Sequence, residues 1–501
     1  MLELRVSEFV QRIPKYILDI AEELQNHGFE AHLVGGSVRD ILLGLIPDDY
    51  DVATNALPHE IEKIFPKSIP TGATFGTITV VLQDDEGETR NVEITTYRSE
   101  EDYVGGRWPS KIEFTRNIYD DLKRRDFTIN AIALNLQEFD NPDISIQQIL
   151  IDPFDGISDL KRKIIRACGN PIERFSEDGL RAVRACRLAA QLNFTIEPNT
   201  LNAISKTLNV TKHISVERFR DELLKLLRKA NKPSTGLRLM QQTGILEIFI
   251  PELVEGVGVT QPGVHAYDVF EHSILAVDFA EDSVKLAALF HDIGKPFTKT
   301  VDEKGVHFYG HDVKGAEITK KIMQRLKFPK SEIERVSKLV RWHMFYYPSA
   351  DWRKEKIDQG FDPNQKTFFE KHDDTDTHGW SDAAIRRFIR NVGGEDAVED
   401  LMKLRIADAS ANPLFKFNPK ELDALAERIA QVRSKDMAIS IKDLDINGED
   451  IKKHLKISAG PIVGKILNAL IEEVIDDPLL NSKDLLLQKA EEYYKKLKND
   501  V

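Results

Sequence analysis

Cysteine is scarce: the 501 residues hold two, Cys168 and Cys186, too few for a disulfide framework. A reducing, cytoplasmic setting is therefore expected. No apolar stretch approaches the roughly 18 residues that a membrane-spanning helix needs, so no membrane role is expected. The opening stretch MLELRVSEFVQRIPKYI lacks the basic flank and apolar run of a signal peptide. Low-complexity tracts and convincing internal repeats are also missing, which sets aside disordered arrays and solenoids. Positive charge is in deficit overall. A formal net charge of −13 argues against indiscriminate affinity for nucleic acid. That figure is an average, however. Between Ile151 and Ile245 stand 17 Lys and Arg against 10 Asp and Glu, a local net of +7, enough for one face to hold a phosphate backbone. Nothing in the sequence points to a stable protein partner.

What remains is an ordinary folded composition, 41% hydrophobic and 30% charged. At this length one core does not suffice, and three or four domains are expected. Phe9, Ile13, Ile17, Ile20 and Leu24 recur at helical spacing and predict an amphipathic helix across the first 20 to 30 residues. The apolar run Ala31 to Val34, the segment DDYDVAT and the stretches GTITVVL and VEITTYR read as strands, with VRDILLG as a helix between the first two. From about Pro153 strand signals nearly vanish, and segments such as LRAVRACRLAAQL, VERFRDELLKLLRKA and KLAALFHDIGK carry a 3.6-residue period. The fold class expected is α+β, a small mixed-sheet domain followed by helical ones. Tyr347 to Gly379 is polar and reads as a long loop or insertion. Its charged cluster His372 to His378 is better explained by solvation than by metal.

The central constellation is Gly35-Gly36-Ser37 with Arg39, followed by Asp49-Tyr50-Asp51. Residues i and i+2 of a strand share a face, so Asp49 and Asp51 can converge. Two such carboxylates suit Mg²⁺, which prefers oxygen ligands and shares itself with substrate phosphates. A two-metal arrangement would activate an attacking 3′ hydroxyl and steady a leaving pyrophosphate. A Gly-Gly turn between strand and helix lets backbone amides approach a triphosphate, and Arg39 would clamp it. An isolated D-x-D is more often a solvated strand face. The ordered combination with the glycine turn carries more information.

The blocks LVGGSVRDILLG, PDDYDVAT, PTGATFGTITV, VEITTYR, KRRDFTINAIA, DPFDGISDLKRKIIR and EDGLRAVRACRLAAQL occupy most of residues 31–193. In this order and spacing they resemble the class II tRNA nucleotidyltransferase/bacterial poly(A) polymerase family. The resemblance implies template-independent addition of C and A to the 3′ end of tRNA from CTP and ATP. It implies nucleotide contacts from Arg124, Arg125, Asp126 and Asn130, with Asp126 sensing the ribose, and base selection by Asp178 and Arg181. Arg184 and Arg187 continue the same helical face toward triphosphate or primer. The pairing has a physical basis, since cytosine and adenine both offer an exocyclic amine beside a ring-nitrogen acceptor. An Asp accepts from the first and an Arg donates to the second, whereas guanine and uracil reverse the polarity. The competing reading of Asp178 and Arg181 is an i,i+3 helical salt bridge. RSEEDYVGGRWPSKIEF resembles the flexible element of full CCA-adding members. VERFRDELLKLL resembles a structural helix.

Further along, His272, the pair His291-Asp292 and Asp408 resemble the ligand set of the HD phosphohydrolase family, with His311 and His343 placed where larger sites carry extra ligands. A divalent transition metal or Mg²⁺ is implied. The expected organisation is a catalytic head over 1–150, a helical neck for nucleotide templating and RNA binding over 151–250, an HD domain over 251–410 and a tRNA-binding helical tail over 411–501. Three alternatives stay open: a poly(A) polymerase, an A-adding specialist, and a nucleotide phosphohydrolase whose front domain only binds RNA.

Overall fold

A computed structural model describes residues 11–104, 108–137, 145–261, 266–303, 305–345, 380–414, 420–434 and 440–499. Phe9, the polar segment from Tyr347 and the cluster His372 to His378 lie outside them. The chain divides into two compact units, Met1–Val254 and Glu255–Val501.

Among the described residues the first helix of the first unit is α1 (Lys15–Asn26), which buries Ile17, Ile20, Ala21 and Leu24. The helix starts later than the apolar spacing suggested because Pro14 stands at its N-cap and leaves Ile13 buried ahead of it. The sheet is built from β1 (His32–Val34), β2 (Asp51–Thr54), β3 (Ser68–Gly72), β4 (Thr77–Gln83), β5 (Thr89–Thr96), β8 (Ala133–Asn135) and β9 (Leu150–Ile151) in the order β3-β4-β5-β2-β1-β8-β9. β2 runs parallel to β5 and antiparallel to β1, so the sheet is mixed as expected. The remaining strands β6 (Arg98–Val104) and β7 (Trp108–Phe114) pair antiparallel as a separate ladder, where the resemblance had placed a flexible element.

Alternation along β5 assigns the two faces. Val92, Ile94 and Thr96 are buried, and the opposite face carries Glu93 and Thr95. Val34, Ala53, Tyr97, Ile118, Leu122 and Ala133 form a core cluster that fixes α3 (Ile118–Lys123) against the sheet. The helical remainder of this unit includes α4 (Pro171–Glu177), α5 (Leu180–Leu192) and α6 (Val216–Lys229). α4 starts at Pro171 with the Asn170 side chain accepting from the Ile172 amide, and the Ser215 side chain caps α6.

The second unit is helical, with α7 (Val269–Phe279), α8 (Lys285–Phe290), α9 (His311–Arg325), α10 (Lys330–Trp342) and α11 (Glu395–Ser410). One departure is a short hairpin, β10 (Thr300–Asp302) with β11 (Gly305–His307), in a region read as wholly helical. Three-residue strands are too short for period-2 alternation to register. At the C-terminal end α12 (Pro461–Asp476) and α13 (Lys483–Asn499) contribute to a core of Ile466, Leu470, Ile471, Val474, Leu486 and Ala490. Among the described residues no helix is long and apolar enough to cross a membrane.

Candidate active site and metal centre

A cavity of about 490 Å³ opens on the sheet of the first unit, the size of a typical small-ligand site. The glycine turn forms one wall. Gly35 is the N-cap of α2 (Gly36–Leu43), at φ +79°. A Cβ there would lie 3.0 Å from Arg125 Nη1 and 3.6 Å from Asp51 Oδ2, so glycine is needed both for the backbone and for the approach. Arg39 is buried and donates from Nη1 to Asn130 Oδ1 at 2.8 Å, while its Nε binds Asp40 at 2.7 Å. Asn130 in turn donates to Asp126 Oδ1 at 3.0 Å, and Arg184 Nη2 lies 2.8 Å from Asp126 Oδ2. Burial would raise the Asp126 carboxyl, but Arg184 and Asn130 outweigh it and hold it below the usual range.

Asp51 opens β2 and lines the cavity. Burial first, then the neighbouring Asp49 charge, push its pKa up to about 6. Asp49 lies outside the strand and is exposed, so the pair is not the simple i,i+2 arrangement expected from the sequence. A third carboxylate joins them. The parallel register sets Asp51 beside Glu93, which also lines the cavity. Sequence reading passed over Glu93, although its position between Val92 and Ile94 already put it on the face opposite the core. A partly buried carboxylate crowded by others is a fitting oxygen donor set for a divalent cation.

Arg124 and Arg125 are both aimed by Asp121, which is fully buried and accepts from Arg124 at 2.6 Å and from Arg125 at 3.0 Å. Burial would raise Asp121 too, yet the two guanidinium groups keep it low.

Asp178 and Arg181 both line the cavity, but they do not form a helical salt bridge. Asp178 sits in extended backbone between α4 and α5, so the premise of a shared helix face fails there. Its carboxylate receives Arg218 Nη1 at 3.1 Å and Nη2 at 2.7 Å. Arg181 pairs instead with Glu177 at 2.5 Å and donates to the carbonyls of Arg174 and Arg124 at 3.0 and 2.8 Å. The α6 block, read as structural, thus supplies a contact to the site.

Two expected site residues face elsewhere. The Ser37 hydroxyl donates to the Val34 carbonyl at 2.9 Å, and Arg187 is buried against Glu222 at 2.5 Å and Gln191 at 2.6 Å.

The second unit gathers His272 from α7, His291-Asp292 after α8, and Asp408 from α11. His272 Nε2 lies 2.9 Å from Asp408 Oδ1 and 3.3 Å from His291 Nε2, and His291 Nε2 lies 3.3 Å from Asp292 Oδ2. His311 and His343 approach the other oxygen: each Nε2 is 3.6 Å from Asp292 Oδ1. His291, His311 and His343 all bind backbone carbonyls through Nδ1, at 2.7–2.8 Å, which turns each Nε2 inward. The buried Nε2 atoms of His311 and His343 have no hydrogen-bond partner. Two candidate ligand groups result, His272-His291-Asp292 and Asp292-His311-His343, sharing Asp292. Burial alone would lower His291, but Asp292 and Asp408 push it up to about 10.

Together the mixed sheet with its carboxylate-and-arginine cavity and the histidine cluster define a polymerase-type nucleotidyltransferase head joined to an HD-type metal domain. Matches to described families follow the same division: Poly A polymerase head domain over residues 31–166, probable RNA and SrmB-binding site of polymerase A over 193–256, HD domain over 264–411, and tRNA nucleotidyltransferase domain 2, putative, over 399–490. A CCA-adding enzyme of Geobacillus sp. (strain WCH70) is 31% identical over 468 residues, 93% of this chain and 94% of that one. The chain belongs to the CCA-adding enzyme family. The CCA-adding enzyme of Ligilactobacillus salivarius is 47% identical over 232 residues, 46% of this chain and 54% of the relative, so the chain spans about half the length of several curated relatives that it matches. In fold it resembles the crystal structure of the Bacillus stearothermophilus CCA-adding enzyme in complex with CTP, with a TM-score of 0.62 and 24% identity over 97% of this chain and 99% of that one.

Proposed function

We propose that this protein adds C and A to the 3′ end of tRNA from CTP and ATP, releasing pyrophosphate, and that it works in the cytoplasm. The observation that carries this reading is the meeting of Asp51, Asp178 and Arg181 on one cavity. Asp51, Asp49 and Glu93 would hold Mg²⁺, which when bound activates the attacking hydroxyl and neutralises phosphate charge. The chain's own groups do the rest. Gly35 and Gly36 let backbone come close to the triphosphate, while Arg39, Arg124, Arg125 and Arg184 supply positive charge around it. Asp126 and Asn130 would meet the ribose. Asp178 accepts from the exocyclic amine of C or A, and Arg181 donates to the ring nitrogen beside it; G and U would leave both mispaired. Structural relatives include a Thermotoga maritima CCA-adding enzyme complexed with tRNA and other CCA-adding enzymes in complex with CTP or ATP, which supports tRNA and these two nucleotides as partners.

The four-part division into head 1–150, neck 151–250, HD domain 251–410 and tail 411–501 is proposed, with family matches over 31–166, 193–256, 264–411 and 399–490 in the same order supporting it. In the HD domain, His272, His291, Asp292 and Asp408 would hold one divalent ion. Asp292 with the unpaired Nε2 atoms of His311 and His343 would hold a second. An imidazole-rich set suits a transition metal better than Mg²⁺.

The deciding experiment supplies tRNA lacking its CCA end with CTP and ATP, singly and together, beside an oligo(A) primer. Addition of two C residues with CTP alone, and one further A with both, is expected. Long A tails on either primer would replace this reading with a poly(A) polymerase, and addition of A only to tRNA ending in CC would mark an A-adding specialist.

A further inference from the structure

The turn that carries Asp49 is poorly fixed by burial. It leaves α2 at Gly44 and enters β2 at Asp51, and along it Pro47 is buried while Leu45, Ile46, Asp48 and Asp49 are exposed. Asp48, Asp49 and Asp51 also crowd like charges together, and the Asp49 charge is felt at Asp51. Repulsion of that kind favours swinging the exposed pair away from the cavity. Side-chain contacts flank Asp49 on both sides and oppose this. The Tyr50 hydroxyl donates to the Arg12 carbonyl at 3.3 Å, and Lys229 Nζ donates to Asp48 Oδ2 at 2.5 Å.

Lys229 is the last residue of α6, where a cation is also favoured by the helix dipole. The helix is a stiff support. Phe219, Leu223, Leu226 and Leu227 are buried along one face, and the Phe219 ring stacks on Phe249 with centroids 4.0 Å apart and 9° between planes. Its first turn carries Arg218, bound to both oxygens of Asp178, and its middle carries Glu222, which accepts from Arg187 at 2.5 Å. At the helical rise, Arg218 and Lys229 stand about 16 Å apart along the axis. One rigid element thus grips Asp178 at one end and the neighbour of Asp49 at the other.

We propose that Lys229 is a positioning residue for nucleotidyl transfer: through Asp48 it holds Asp49 where a cation shared with Asp51 and Glu93 needs it. α6 thereby fixes the metal end of the cavity relative to Asp178. The inference rests on the reading of Asp49 as a metal ligand given above. An exposed ion pair adds little to global stability. This one acts on a single exposed turn, so a small interaction suffices to keep the turn in place.

The test measures addition of C to tRNA lacking its CCA end, at saturating tRNA and CTP, with Mg²⁺ varied. Lys229→Met is expected to lower kcat about fivefold, the upper end for an exposed ion pair. The Mg²⁺ concentration giving half the maximal rate should rise, while the melting temperature and the discrimination of CTP over UTP stay at wild-type values. Lys229→Arg should restore both kcat and the Mg²⁺ response. Asp48→Asn should match Lys229→Met, and the double variant should be no slower than either single one, because both remove the same contact. Additive losses in the double variant overturn the proposal. So does a KM for tRNA that rises in Lys229→Met while kcat holds, which would make Lys229 a contact to the RNA backbone. Wild-type addition by Asp49→Ala overturns the metal reading of Asp49 instead.

Discussion

Arg218 donates to both carboxylate oxygens of Asp178, at 3.1 and 2.7 Å, across 40 residues of sequence. The pair is bidentate, and it leaves the carboxylate oriented while its remaining lone pairs can meet a base. If Asp178 reads the base as proposed, base choice depends on α6 as well as on α5. Arg218→Ala frees Asp178 to rotate. We expect discrimination of CTP over UTP to fall by about tenfold or more, consistent with roughly 1.5–3 kcal/mol for a hydrogen bond to a charged group. Arg218→Lys should recover part of it, since a lysine restores charge without the fork. Incorporation of each nucleotide into tRNA lacking CCA measures this. Unchanged discrimination in Arg218→Ala would show that Asp178 needs no outside support.

Gly35 faces a different constraint. With φ at +79° and Arg125 Nη1 3.0 Å from where a Cβ would sit, Gly35→Ala strains the backbone and pushes an arginine away from the cavity. The expected stability cost is about 1–3 kcal/mol. The effect on KM for both nucleotides should be much larger, because the wall itself moves. A variant that melts normally and keeps the wild-type KM would show that the close approach has no part in binding.

These two residues also mark what the sequence could and could not disclose. Gly35, Asp49 and Asp51 stand within one short stretch, so contiguity made them readable. Glu93 reaches Asp51 only through the parallel register of β2 and β5, and Arg218 reaches Asp178 only because α6 packs near the α4–α5 junction. Neither relation leaves a local spacing. Ser37 and Arg187 failed in the opposite direction: they sit within readable blocks, but helical geometry turns both toward neighbouring protein groups. The main architecture was legible because helical periodicity runs long in the rear of the chain. Where elements are three residues long, as in the β10–β11 hairpin, periodicity had nothing to work on.

His32 gives the head a pH dependence. It is 4% exposed and its Nδ1 lies 2.6 Å from the Tyr97 hydroxyl, and burial pulls its pKa down to about 4. The folded value lies below the unfolded one, so unfolded chain takes up the proton first as pH falls. Stability is complete above about 6.5 and is lost progressively toward 4, by about 3 kcal/mol from this group alone. Hydrogen exchange of the Leu33 and Val34 amides at pH 7 and pH 5 reads that loss locally. In His32→Gln the difference between the two pH values should shrink; an equal difference in variant and wild type would assign the effect to other groups.

Gly294 lets the histidine cluster pack closely. A Cβ at that position would lie 2.1 Å from the His311 carbonyl oxygen and 2.6 Å from the Gly315 amide nitrogen, both backbone atoms that no side-chain rotation can clear. Gly294→Ala must therefore displace the start of α9, carrying His311 away from Asp292. Of the two proposed ions, the one held by Asp292, His311 and His343 should be lost first, because His272, His291 and Asp408 hang from other elements. Metal content at the HD centre, counted beyond what the Asp49, Asp51 and Glu93 site holds, is expected to fall from two ions to one in Gly294→Ala and in His343→Ala, and to zero in Asp292→Ala, while CTP incorporation stays at the wild-type level in all three. A wild-type HD centre that binds a single ion, unaffected by His343→Ala, would reduce it to His272, His291, Asp292 and Asp408 and leave the unpaired nitrogens of His311 and His343 to be satisfied by water.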